Sequence, residues 1–390
     1  MNSYKKNIFL DYAQTFTRNF NLTHGIWLIF LRLKGFTYLE IGMVEGIFHA
    51  TSLTMEIPTG VIADLLGRKF SRLLGILLYI LYLLLMLFGN NLLMISIAFI
   101  LCGLSYTLES GAGDALVYDS LIEIGEAKNY SKVNSIKEVF YQLGTMLSLL
   151  IGGYIATQNY DLVFKLAILI AFITFIIIYK MRETKVDRDI VSTSFKKKFK
   201  AQYIDSIRYI FSNKRLRFLI VISSLFTFPV TLVFFYSQNH FTELGYSPFD
   251  VGIFLSLHSA FAIIGALLVS KILKTFNERM ILLLLPIVEI ILLWLMITDY
   301  SYIPFIILGA VESIFYVIIL DYINKIIPSN KRATILSMSG MIFSILMILI
   351  FPLVGLISDH YSFTYGFIFN ASIITIGYII YILNYRKLNA

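Results

Sequence analysis

Long apolar segments, each close to the length a helix needs to cross a bilayer, recur along almost the whole chain and leave little room for anything else. About 20 residues of helix span a hydrocarbon core. Such segments fall at 9–33, 40–66, 72–88, 92–119, 136–157 and 162–180, and again at 218–240, 248–272, 280–298, 303–327, 333–358 and 363–383. Between them lie only short turns and one polar connector, 181–217. Only 14% of the 390 residues are charged and 58% are hydrophobic, whereas a water-soluble domain carries about 25% charged residues. The expected architecture is an all-α membrane protein of twelve transmembrane helices.

The charges say which way those helices run. Numbering the turns alternately, one side collects Lys5, Lys6, Arg68, Lys69, Arg72, Lys128, Lys132 and Lys137, then the connector. It then collects Lys271, Lys274, Arg279, Lys325, Lys331, Arg332, Arg386 and Lys387. The other side receives Arg32 and Lys34, while Arg18 and Lys165 fall within spans. Loops rich in lysine and arginine stay in the cytoplasm, so both termini are expected inside and the even helix count follows. The formal charge of +8 therefore reflects sidedness and not nucleic-acid binding. The basic run Phe195-Lys196-Lys197-Lys198-Phe199-Lys200 in the connector suits an amphipathic segment on the anionic inner leaflet. The single cysteine, Cys102, excludes an internal disulfide, and no cysteine–histidine spacing suggests a metal. The N-terminal stretch carries Asp11, Arg18 and Asn19, which a cleaved signal core avoids, and it is expected to be a retained cytoplasmic start of helix 1.

The two sets of six segments repeat one another. Gly35-Phe36-Thr37-Tyr38-Leu39-Glu40-Ile41-Gly42, entering helix 2, reads like Gly245-Tyr246-Ser247-Pro248-Phe249-Asp250-Val251-Gly252, entering helix 8, and Asp119 aligns with Asp321. Parallel repeats of this kind are expected of two-bundle transporters. The expected organisation is an N-terminal bundle over 1–180, a connector over 181–217 and a C-terminal bundle over 218–390. Between helices 2 and 3 stands Gly60-Val61-Ile62-Ala63-Asp64-Leu65-Leu66-Gly67-Arg68-Lys69. Gly60 would allow close helix approach, Gly67 a tight turn, and Asp64 with Arg68 a charge pair at the membrane edge.

This motif resembles the signature of the major facilitator superfamily, at the same place in the chain. The resemblance implies two pseudo-symmetric six-helix bundles working by alternating access. It also implies a conformational gate formed by Gly60, Asp64, Gly67, Arg68 and Lys69 with Asp119 at the inner end of helix 4. Helix 5 carries Gly144, Gly152 and Gly153 in the glycine frame of the drug:proton antiporter motif. Ser148 and Leu149 replace its central Gly-Pro, however, and Thr107 stands where exporters place a helix-4 arginine. Those glycines would serve helix packing.

Ionisable side chains inside a bilayer cost on the order of 3 kcal/mol each, so each needs a reason. Glu45, Glu56, Glu109, Asp114, Glu289 and Glu312 lie within spans, with Arg18, His49 and His258. Glu109 and Glu312, on helices that the resemblance places around a central cavity, are the foremost candidates for carrying protons. Asp114, Arg18, Glu45 and Glu56 are further proton or substrate candidates. Arg18 and Asp114 are expected to pair, Glu56 to support a bend at Pro58, and Glu289 has no assignable role. Trp27, Tyr106, Phe226, Phe234, Phe235, Tyr236 and Phe315 could wall a site or simply pack. No nucleotide-binding loop, catalytic constellation or cofactor motif is visible, so neither enzyme activity nor a cofactor is expected. The expectation is a monomeric, multi-pass transporter of the cell membrane for a small-molecule substrate, exporting hydrophobic or cationic compounds against protons. The alternatives are proton-coupled uptake or exchange of a polar metabolite and, from another class, a non-transporting sensor or scaffold.

Overall fold

The computed structural model describes residues 3–184, 205, 208–328 and 332–388; the basic run 195–200 lies outside them. Every regular element among the described residues is helical. The first half holds α1 (Ser3–Asn19), α2 (Trp27–Leu33), α3 (Tyr38–Leu66), α4 (Arg68–Phe88), α5 (Leu92–Glu123), α6 (Tyr130–Ala156) and α7 (Tyr160–Tyr179). The second holds α8 (Lys214–Glu243), α9 (Pro248–Thr275), α10 (Glu278–Leu295), α11 (Tyr302–Ile326), α12 (Arg332–His360) and α13 (Phe363–Leu388). Among the described residues nine helices are long and apolar enough to cross a membrane by composition alone. Helix α3 falls short of that measure through Glu40, Glu45, Glu56 and Asp64, and α10 through Glu278, Arg279 and Glu289. Leu93, Leu169, Ile176, Leu267 and Ile376 are exposed on helix surfaces, as lipid contact requires.

Helix 1, expected unbroken over 9–33, is instead two helices, α1 and α2. The break follows from its polar residues. The Asn21 side chain accepts from the Thr23 amide and hydroxyl at 3.2 and 2.7 Å, and such local bonds offer the backbone an alternative to the helical ladder. Elsewhere the helix starts are conventional. Asn91, Asn159, Asn213 and Asn277 cap α5, α7, α8 and α10, each accepting from the amide three residues on and so satisfying one of the orphan donors of a first turn.

The internal repeat has a structural counterpart in local geometry. Gly35 and Gly245 take φ of 91° and 90°, a left-handed turn that favours glycine. Each is followed by a reciprocal capping box, Thr37 with Glu40 and Ser247 with Asp250, which starts α3 and α9.

The chain divides into two compact units. One comprises Met1–Phe36, Val44–Thr193 and Ser247–Ile253; the other comprises Thr37–Met43, Ser194–Tyr246 and Phe254–Ala390. In the first, α4 packs on α5 and α7, and α1 on α6 and α7. Gly152 sits so close to the Leu22 carbonyl that a Cβ there would collide. Gly60, by contrast, has open space around it, so it does not mediate a close helix approach. In the second unit α8 packs on α11, α12 and α13, and α10 on α11 and α13. There Asp359 accepts from the Tyr38 and Leu39 amides at 2.9 and 2.8 Å, capping α3.

Candidate functional site

In the first unit α1, α5 and α6 line an open cavity of about 380 Å³. Apart from Gly113, every residue lining it carries a hydrogen-bonding side chain: Gln14, Thr15, Arg18 and Asn19 from α1, Glu109, Ser110 and Asp114 from α5, and Asn134, Lys137, Glu138 and Tyr141 from α6. Its polarity is organised by Arg72, which projects from the first turns of α4 and is fully buried. Nη1 of Arg72 lies 2.8 Å from Asp11 Oδ1, and its Nη2 and Nε lie 2.9 and 3.3 Å from the two oxygens of Glu109. The planar fork suits this bidentate grip. Gln14 Nε2 donates to Glu109 at 3.1 Å. Lys137 closes the set, 2.6 Å from Asp114 Oδ1 and 3.7 Å from Asp11 Oδ2.

This arrangement corrects two expectations. Glu109 does not stand without a cation, because Arg72 holds it. Arg18 does not pair with Asp114, whose partner is Lys137; Arg18 Nη2 instead donates to the backbone and hydroxyl oxygens of Ser105 at 3.3 Å. Arg72 and Lys137 had looked like inner-loop charges because they follow Arg68-Lys69 and Lys128-Lys132. The only hint in the sequence is the surplus of acids within spans, which calls for cations without saying which ones. Of the aromatics singled out from the sequence, Trp27, Phe226, Tyr236 and Phe315 are buried in helix packing, Phe234 and Phe235 are half-buried and Tyr106 is exposed, whereas the aromatic that lines the cavity is Tyr141.

A second constellation lies at the α3–α4 turn. Gly67 takes φ of 107°, letting the chain reverse into α4. Arg68 Nε meets Asp119 Oδ2 at 3.1 Å, and Asp64 lies within reach of the Arg68 charge. Glu183, just past α7, accepts from the Arg68 and Lys69 amides at 3.1 and 3.0 Å. It places a carboxylate on the positive end of α4, where Gly67 offers no capping side chain. Sequence reasoning missed Glu183, which stands alone beyond the last apolar segment of its half. Among the remaining candidates, Glu45 meets His49 at 3.4 Å one turn on, Glu312 lies 4.0 Å from His258, and Glu56 is exposed.

The sequence matches the Major Facilitator Superfamily over residues 9–338 and, in an overlapping second alignment, 242–389. The chain belongs to the Major Facilitator Superfamily. It is 25% identical over 368 residues to the uncharacterized MFS-type transporter YxaM of Bacillus subtilis (strain 168), covering 91% of this chain and 90% of that protein. Its fold is similar to a mutant of the nucleoside transporter NupG, with a TM-score of 0.81 at 13% identity over 98% of this chain and 99% of that one. It also resembles a D-xylose-proton symporter, with a TM-score of 0.72 at 12% identity over 97% and 96%. Membership makes the apolar helices those of a multi-pass membrane transporter, and it fits the position of the Gly60–Lys69 motif in the superfamily chain.

Proposed function

We propose that this superfamily member moves a small polar solute across the cell membrane by alternating access, driven by protons, with the α1/α5/α6 cavity as the solute-binding surface of the first unit. The observation that carries the reading is the lining of that cavity, to which every residue except Gly113 brings an amide, hydroxyl or charged side chain. Such side chains compensate the lost hydration of a polar ligand through hydrogen bonds. The two fold neighbours named for a nucleoside and a pentose are in keeping with this, although at 12–13% identity they speak for fold alone.

Protons enter the scheme at Glu109. Ionised, it is held by Arg72; protonated, it loses that pairing and leaves the Arg72 fork with Asp11. The Asp64, Arg68, Lys69 and Asp119 constellation acts as the gate, biasing one conformation through contacts that touch no solute. Export of a cationic compound is the second reading, favoured by the carboxylates Glu109, Asp114 and Glu138 around the cavity. It is the weaker one, because Arg72 and Lys137 already neutralise two of the three.

A thermal-shift screen on purified protein, covering sugars, nucleosides, amino acids and cationic dyes, separates the readings. Stabilisation by a neutral or zwitterionic polar solute, lost in Asn134→Leu, is expected. Stabilisation by dyes alone would replace uptake or exchange with export. Stabilisation by one solute without any transport of it in liposomes would favour a sensor.

A further inference from the structure

The charged side chains lining the cavity are Arg18, Glu109, Asp114, Lys137 and Glu138. Arg72 grips Glu109 and Lys137 meets Asp114, and Glu138 accepts from Gln142 Nε2 at 2.7 Å. Arg18 is the cation left over. Among the described residues the ion pairs of this unit belong to His49, Arg68, Arg72 and Lys137, and none includes Arg18. Its guanidinium is placed by two neutral oxygens of Ser105 on α5, at 3.3 Å, and lies 5.8 Å from the centre of the Tyr79 ring on α4. Nη1 of the same group is buried without a hydrogen-bond partner. A guanidinium only donates, and a charge drawn from water without a counter-charge is costly. Arg18 therefore calls for an anionic acceptor that the chain itself does not supply.

Two further atoms on the lining of the same cavity are left unpaired. Thr15 is 4% exposed, and its Oγ1 has no partner; it lies three residues before Arg18, on the same face of α1. Asn134 Oδ1, on α6, is likewise buried and unpartnered. Buried polar groups are nearly always hydrogen-bonded in a folded protein, so three exceptions on one cavity describe a ligand by its complement. Arg18 and Thr15 offer two donors to an anionic group, and Asn134 Oδ1 takes an N–H or O–H. Each of these atoms is covered in this conformation, and a ligand engages it once its side chain rotates into the open space beside it.

The anionic group is a carboxylate. The planar guanidinium fork matches a planar carboxylate. A phosphate, with its greater charge, would call on more cations, and Arg72 and Lys137 are already committed to Asp11, Glu109 and Asp114.

We propose that Arg18 is the specificity-determining residue of the cavity and that the solute is a small carboxylic acid carrying a hydroxyl or amino donor. The proposal rests on the reading of this cavity as the solute-binding surface, and narrows its polar solute to one class. The carboxylate docks on Arg18 with the Thr15 hydroxyl beside it, and the donor of the solute meets Asn134.

Thermal midpoints of the full-length protein in detergent, titrated with matched pairs, test this directly. The pairs are lactate and lactamide, gluconate and glucose, and serine, alanine and glutamine with their carboxamides. Sodium acetate and sodium chloride at matched ionic strength are the free-anion arms. At least one acid is expected to stabilise the wild type, with its neutral-headed partner at least about tenfold weaker, as loss of a charged hydrogen bond implies. Arg18→Gln is expected to bind both members alike and Arg18→Lys to keep part of the preference. Thr15→Val should weaken the acid and leave the preference in place. Equal stabilisation by both members of every pair, or a preference that survives Arg18→Gln, would overturn the proposal. So would a midpoint that rises as far with chloride or acetate as with any of the larger acids, which would make Arg18 a free-anion site. Should Arg18→Gln fail to fold, the wild-type pairs and Arg18→Lys decide. Glucose or a carboxamide binding as well as its acid sinks this proposal and leaves the polar-solute reading standing, whereas no shift with any of these solutes sinks both.

Discussion

Arg72 keeps a full charge away from water because Asp11 and Glu109 close on it from α1 and α5. Removing one partner of a buried ion pair leaves uncompensated charge and costs about 3–5 kcal/mol. Arg72→Met is therefore expected to lower the thermal midpoint of the purified protein sharply. Arg72→Lys should cost less, since it keeps the charge and loses only the planar fork. A Met variant as stable as the wild type would show that the pair adds nothing to the fold. Adding Glu109→Gln to Arg72→Met should recover part of the loss, because the two side chains are directly coupled. The acid in this cluster was legible in the sequence, since a lone Glu109 in an apolar run demands explanation. Its cation was not. Arg72 lies next to the basic α3–α4 turn, and nothing in the linear order says that its side chain turns into the bundle toward Asp11.

At the scale of elements, the short turns carry more of the stability than their length suggests. Lys34, between α2 and α3, donates to the carbonyls of Met86, Leu87 and Gly89 at 2.7, 2.7 and 2.9 Å, tying off the C-terminal end of α4 with a cation where the helix dipole favours one. Lys34→Met is expected to destabilise by about 1–3 kcal/mol, the cost of leaving such acceptors unsatisfied. A variant with an unchanged unfolding midpoint would mean that water replaces the ammonium without loss. The positions of most helices could be read from hydropathy, and the starts of α3 and α9 from the repeated glycine and capping-box residues. The division of helix 1 into α1 and α2 could not. Hydropathy averages over Asn19, Asn21 and Thr23, whereas the break depends on the side-chain bonds within that stretch.

For the whole molecule, sidedness and alternation each make a measurable demand. Ser71 and Asn239 would be obvious probes of topology from sequence alone, but both are buried. Exposed sites in the same alternation are Asn90 and Tyr300 on one side and Lys128 and Asn277 on the other. On a Cys102→Ala background, single cysteines at Asn90 and Tyr300 are expected to react with an impermeant reagent added to intact cells, and those at Lys128 and Asn277 only after lysis. The reverse pattern would invert the topology. The gate makes a separate demand. Asp64→Asn or Arg68→Ala should abolish transport while leaving solute binding nearly intact, because Arg68 contacts Asp119 and lies outside the cavity lining. Near-normal transport by both variants would reduce the motif to a folding and topology signal.

The central claim is that a polar solute crosses through the α1/α5/α6 cavity at the expense of a proton gradient. The most direct measurement is uptake, by protein reconstituted in liposomes with an imposed pH gradient, of whichever solute stabilises it. Wild type, Asn134→Leu and Glu109→Gln are compared side by side. The account predicts uphill accumulation by the wild type, loss of binding and transport in Asn134→Leu, and downhill exchange without accumulation in Glu109→Gln. Accumulation unaffected by both substitutions would contradict it.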